Sequence, residues 1–296
     1  MIFASAAMTS ARAADIALVL GDTGGAYAEY AAAFQQSIEG SGWRVRWVGS
    51  QENLEAAPPA DLLVTVGTEA SRAALRRPGN TPLIATLLPR PTYERALTEA
   101  LGRPRAQSTA IFLDQPISRL LSLVRHLLPG RQRVGLLAGP ETRTILPEAR
   151  QAAAAAGLNL EVEGIEPDMS PVPAANHLLP RSEVLLALPD STVYRRDHVR
   201  GILLASYRFQ QPVIGFSQAM ASSGAVAALY STPTQAARQT VDLIRTLRPG
   251  DITLPPPQGP AFFVVSINQN VARALGLKLP DESTIRRQIG ADKDAR

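Results

Sequence analysis

The sequence predicts an α/β protein made of two similar domains, each built on a doubly wound parallel sheet. Short, continuous apolar runs alternate with Ala/Leu-rich segments of helical spacing along most of the chain. That is the pattern of parallel strands covered on both faces. The pattern then restarts. "ADIALVLGD", a helix and "WRVRWVG" resemble "QRVGLLAGPE", a helix and "LNLEVEG", while "DLLVTVGTEAS" resembles "EVLLALPDSTV". A length of 296 residues leaves room for two domains of ordinary size.

Taken in order, strands are expected over 16–20, 44–48, 62–66, 83–87 and 108–112, then over 133–138, 160–164, 183–188 and 212–216. Helices are expected over 26–40, 68–76, 115–127, 146–156, 197–209 and 233–248. Several end at glycine, as at Gly40 and Gly157, or just before Pro129, which are ordinary helix stops. Ligands of open α/β sheets bind beyond the carboxyl ends of the strands. Five loops therefore hold the candidate residues: 21–25, 67–71, 139–144, 189–192 and 217–220.

The first of these, "GDTGGAY", has the look of a nucleotide cradle, but its glycines are Gly21, Gly24 and Gly25. A dinucleotide loop needs Gly-x-Gly-x-x-Gly, and no Gly-x4-Gly-Lys-Ser/Thr occurs anywhere in the chain. "GFSQA" at 215–219 approaches the nucleophile elbow of α/β-hydrolases, whose histidine follows the serine in the chain. Here His126, His177 and His198 all precede Ser217, and none has metal-ligand spacing. With no cysteine either, the chain is read as a non-enzyme with no catalytic residue, metal or cofactor.

What remains at the strand ends is polar: Asp22 and Thr23; Thr68 and Ser71; Glu141 and Thr142; Asp190, Ser191 and Thr192; Ser217 and Gln218. Several open helices, where backbone N–H groups receive anions. Thr68, Ser191 or Thr192, and Thr232 serve equally well as helix caps, and both readings stand. Tyr27, Tyr30 and Tyr93 are aromatic residues for a ligand or for the core.

Lys and Arg number 30 against 26 Asp and Glu, for a net charge of +4. The basic residues are scattered in pairs, as at Arg76-Arg77 and Arg195-Arg196, without the stripe that nucleic acid requires, so no nucleic-acid partner is expected. No run of 18 apolar residues suggests a membrane span. The start, "MIFASAAMTSARAAD", offers an Ala-x-Ala cleavage pattern at 11–13. It reads as a residual signal-peptide-like segment over 1–13, with a frayed Ala-rich terminus as the alternative.

Near its end the chain reads "FFVVSINQNVARALGLKLPDESTIRRQ". With "DLLVTVGTEASRAAL", "TPLIATLLP", "LLPGRQRVGLLAGPET" and "VLLALPDSTVYRRDHVRGILLASYRFQQPVIGFSQAMASSGAVAALYSTP", it resembles the ABC-transporter substrate-binding proteins of the tryptophan/tyrosine-type periplasmic group. The resemblance spans roughly residues 62–289. It implies a type I periplasmic binding protein, with two doubly wound lobes joined by three crossovers. The lobes would be 14–112 plus 229–248 and 113–228 plus 249–290, with a tail over 291–296. It further implies a periplasmic protein, exported in the Gram-negative manner and monomeric, that closes on a small polar molecule such as an amino acid. Its partner would be an ABC permease in the inner membrane. The alternative is a periplasmic ligand sensor or accessory binding subunit for another membrane partner.

Carried over by position, Thr68 and Ser71 match the first-lobe loop that receives the ligand's polar end. Asp190 and Ser191 match the second-lobe loop that in amino-acid binders holds an ammonium. Glu141, Thr142 and Ser217 would line the same cleft, with Asp22 and Thr23 on its first loop. Two stretches depart from the family pattern: "RPTYERA" stands for Asp-Pro-Val, and "GRPRAQSTA" for Gly-Asn-x-Thr-Gly.

Overall fold

A computed structural model describes residues 13–100 and 107–294. Residues 1–12, 101–106 (with all of "GRPRA") and 295–296 lie outside the described residues. The first sheet contains β1 (Ala14–Leu20), β2 (Trp43–Ser50), β3 (Leu62–Val66), β4 (Leu83–Leu88) and β5 (Ser108–Phe112), all parallel, in the order β2-β1-β3-β4-β5. Helices α1 (Gly25–Ile38), α2 (Thr68–Arg76) and α3 (Arg90–Glu99) connect its strands.

The second half repeats the plan with α4 (Ile117–Leu127), β6 (Arg133–Ala138), α5 (Pro140–Arg143), α6 (Leu146–Ala155), β7 (Asn159–Gly164), α7 (Pro171–Leu178), β8 (Val184–Leu186), α8 (Arg196–Arg208), β9 (Val213–Gly215), α9 (Gln218–Ser223) and β10 (Ala227–Tyr230). Its parallel strands run β7-β6-β8-β9-β10, the same order as in the first sheet. The sequence repeat is thus a repeat of topology. After α10 (Pro233–Arg245), β11 (Val264–Ile267) pairs antiparallel with β10, and α11 (Gln269–Ala274) and α12 (Glu282–Asp294) follow.

Burial explains the apolar runs. All seven residues of β1 are buried, whereas the edge strand β2 alternates between buried or half-buried and exposed positions. Helices α3, α5, α7 and α9, all before residue 233, lie outside the spans expected to be helical. The first three carry proline at their first or second position, where the missing N–H removes no hydrogen bond. There the prolines mark helix starts, not loops.

The "GDTGGAY" loop is fastened to its neighbour strand. The Gly21 N–H donates to the Val66 carbonyl at 2.9 Å, and the Asp22 carboxylate accepts from the Thr23 and Gly24 N–H groups at 2.5 and 3.2 Å. The Tyr27 ring lies over Gly67, which has φ of +93° and where a Cβ would stand 2.5 Å from the ring. Only glycine meets both demands.

The chain passes between the sheets three times. Helix α4 follows β5 of the first sheet, yet its Leu120, Leu123 and Val124 pack with Val134 and Val184 of the second. Helix α10 follows β10 of the second sheet, yet Ala237, Val241 and Ile244 pack with Ile16, Tyr30 and Phe34 of the first. The third passage follows α10: Ile252 and Leu254 pack against the first core, whereas Phe263 packs against the second.

One buried cluster ties the three passages together. The Gln115 amide donates to the Ser231 hydroxyl at 2.8 Å, which donates to the Phe262 carbonyl at 2.6 Å. Arg119, 8% exposed, donates to the Gln115 amide oxygen at 2.7 Å and the Pro260 carbonyl at 3.0 Å, and its guanidinium lies 4.8 Å from the centre of the Phe263 ring. Burial pushes the Arg119 pKa down, and among the described residues no carboxylate pairs with it.

Truncating a hub that serves several buried partners leaves them all unsatisfied. Gln115→Ala is therefore expected to lower unfolding free energy by about 2–4 kcal/mol, read from urea denaturation.

Candidate functional site

Loops beyond the carboxyl ends of strands in both sheets meet in one cleft holding two adjoining cavities. The inner cavity, about 520 Å³, lies between α3 and the first passage on one side and α5, α6 and Phe216 on the other. The outer cavity, about 640 Å³, is lined by Thr68, Arg72 and Arg95 from the first lobe and by Asp190, Ser191 and Tyr194 from the second. Glu141, Pro189 and Phe216 line both.

Two ion pairs span the cleft. Arg90 at the start of α3 donates to Glu148 at 2.9 Å, and Arg95 one turn on donates to Glu141 at 3.1 Å. The first pair is solvent-exposed and worth little by itself. Glu141 is only 10% exposed in its side chain, so its pair is less screened. Glu141 also accepts from the Ser191 N–H at 3.0 Å and hydroxyl at 2.9 Å. It joins α3, α5 and the loop after β8 in one contact set.

Asp190 is placed differently from the expectation carried over from the family. Its carboxylate accepts from the backbone N–H groups of Thr142 at 2.9 Å, Thr192 at 3.0 Å and Val193 at 3.3 Å. It packs so closely on Gly139 that a Cβ there would stand 2.3 Å from the carboxylate oxygen. The group brackets two loops of its own lobe, and its lone pairs are largely committed.

The other expected residues divide in two. Thr68, Glu141, Thr142, Asp190 and Ser191 come together around the cleft. Ser71 is fully buried within the first lobe, 2.9 Å from the Thr65 hydroxyl. Asp22 and Thr23 are exposed on their own loop and line neither cavity. Ser217 caps α9, accepting from the Met220 N–H at 3.2 Å, and faces a separate groove of about 740 Å³ beside α8. Of the tyrosines, Tyr30 is core, stacked on Phe34 and donating to Thr240 at 2.8 Å. Tyr93 lines the inner cavity.

Sequence reading missed Arg90, Arg95, Phe112, Asp114 and Phe216. The two arginines come from "RPTYERA", the stretch that departs from the family pattern. Asp114 lies in the first passage, partly buried on the inner cavity, and accepts from the Arg90 N–H at 2.6 Å. Loss of hydration pushes its pKa up to about 6, against the backbone hydrogen bonds from Arg90 and its own residue and with a further push from Glu141. The Thr142 hydroxyl, on the same cavity, is buried without a hydrogen-bond partner. Among the described residues, no group of three His, Cys, Asp or Glu side chains is arranged to hold a metal.

The shift at Asp114 has a sign in stability. A carboxyl whose pKa is higher folded than unfolded contributes stability that is full below about pH 4 and lost as pH rises through about 6. Asp114→Asn is expected to raise the Tm at pH 8, by an amount equivalent to at most about 3 kcal/mol, and to leave it unchanged below pH 4. Melting curves across that range check it.

A model of the family described as ABC transporter substrate binding protein matches residues 52–287. No curated protein matches the chain. Among solved structures, an ABC domain from Streptococcus pneumonia in complex with L-Trp is similar at 17% identity and TM-score 0.64, over 92% of this chain and 98% of that one. A conserved domain protein from Vibrio cholerae gives 19% and 0.66, over 93% and 98%. A substrate-binding protein with adhesive properties from Clostridium difficile, ligand-free and open, gives 15% and 0.68, over 90% and 96%. At these identities the likeness is one of fold.

Proposed function

Since the chain belongs to the family of ABC transporter substrate-binding proteins, we propose that it captures a small polar solute in the cleft between its lobes, outside the cytoplasm, and delivers it as a monomer to an ABC permease. One observation carries the reading most directly. Post-strand loops of both sheets build one cleft, and that cleft is bridged by Arg90–Glu148 and Arg95–Glu141. Contacts made by both lobes exist only when the lobes are together, so a solute that touches both shifts the population toward closure.

The inner cavity is of the volume that small-molecule sites usually have and suits a solute the size of an amino acid. Glu141 and Thr142 line it from the second lobe, while Thr68 and Ser191 line the adjoining outer cavity from opposite lobes. Ser71, Asp22, Thr23 and Ser217 support the loops. Nothing in this chemistry calls for bond-making, which favours binding over catalysis. Among the described residues no helix is long and apolar enough to cross a membrane, which accords with a protein that meets its permease from outside the bilayer.

A thermal-shift screen against amino acids, amines, sugars, nucleosides and small carboxylates tests the reading. A solute at 100 times its Kd is expected to add about 2.7 kcal/mol to stability and to reduce the radius of gyration in solution scattering. The reading fails if a solute stabilises the protein while the scattering profile stays fixed, or if no solute class stabilises it.

A further inference from the structure

The chain carries a net charge of +4, yet the cleft has the opposite sign. Among the described residues, seven carboxylates line its two cavities against three guanidiniums. Each of the three is already engaged. Arg72 stands 3.4 Å from Glu99 and 4.0 Å from Glu69. Arg90 is held by Glu94 at 3.0 Å and Glu148 at 2.9 Å, and Arg95 by Glu141. Among the described residues, every guanidinium that lines the cleft is paired with a carboxylate.

Two carboxylates remain outside these pairs. Asp190 is saturated by three backbone donors. Asp114 has backbone donors only, and its side chain opens on the inner cavity. Thr142, 1% exposed and with its buried hydroxyl without a partner, lines the same cavity, and a hydroxyl oxygen accepts from an ammonium. The remaining wall is apolar and aromatic, with Tyr93, Phe112, Ile145, Leu188 and Phe216. Aromatic faces attract cations and shed water from their apolar parts.

The geometry points to an organic cation as the solute: a primary amine or amidine on an apolar or aromatic body, without a carboxylate of its own. This rests on the cleft being the binding site, as proposed above, and narrows what it takes. The charged group sits against Asp114 and Thr142, and the body lies between Phe112 and Phe216. A zwitterionic amino acid that placed its carboxylate at the start of α2 by Thr68 would meet Glu69, Glu99, Glu141 and Asp190 against only Arg72 and Arg95 on the same cavity.

Calorimetry with three compounds of one shape decides the matter: phenethylamine, phenylalanine and 3-phenylpropionate, with cyclohexylmethylamine and benzamidine as further cations. Phenethylamine is expected to bind at least tenfold more tightly than either carboxylate-bearing compound. Asp114→Asn, which should fold at least as well as the native chain, is expected to weaken it tenfold or more, and Thr142→Val to weaken it several-fold. Phenylalanine or 3-phenylpropionate binding as tightly as the amine overturns the assignment, as does full affinity in Asp114→Asn or the failure of all three cations to bind at millimolar concentration. In those cases, a neutral or anionic solute that still compacts the protein in scattering leaves the cleft as the binding site. Absence of compaction with every solute removes that reading as well.

Discussion

The cleft depends on the buried cluster at Gln115, Arg119 and Ser231, because it is where all three passages of chain between the lobes are held together. Arg119 is a cation removed from water with carbonyl and amide oxygens and one aromatic face in place of a carboxylate. Burying such a group is costly unless every donor is satisfied. The cluster thus fixes the three passages at one point, about which the proposed closure would turn the lobes. Each lobe is also completed by a helix that follows a strand of the other, α4 in one direction and α10 in the reverse, so neither lobe's core closes without the passages being in place.

On that frame the cleft reads as a balance of charges. Arg90–Glu148 and Arg95–Glu141 draw the lobes together, while Asp114, held only by backbone donors, leaves an excess of negative charge inside. A carboxyl in that position is unfavourable in the empty protein and is relieved by a positive ligand group. The same arrangement would couple solute charge to closure, since the cation neutralises the inner cavity of the cleft that the two ion pairs bridge.

Much of this was legible in the sequence. The central strands were visible because parallel strands covered on both faces must be apolar throughout, and the restart of the pattern anticipated two sheets of identical strand order. The loops that meet at the cleft followed from the strand ends. Asp190 was located but not its role, because a spacing of residues does not reveal that Thr142, Thr192 and Val193 turn their N–H groups onto it. Arg90 and Arg95 were hidden in a stretch with no apolar period, whose proline marked a helix start. The sign of the cleft was hidden too, since the charges that make it come from α2, α3, α5, α6 and the first passage, far apart in a chain whose sum is positive.

The central claim is that the two lobes move as bodies and shut on a solute between them. A chain without cysteine allows spin labels to be placed cleanly at Glu55→Cys on the first lobe and Arg150→Cys on the second, both exposed, and the distance between them measured by pulsed electron resonance. The account predicts a distance distribution that shortens and narrows when a stabilising solute is added and lengthens in Arg95→Ala. A single distribution, unchanged by a bound solute and by loss of that arginine, would contradict it.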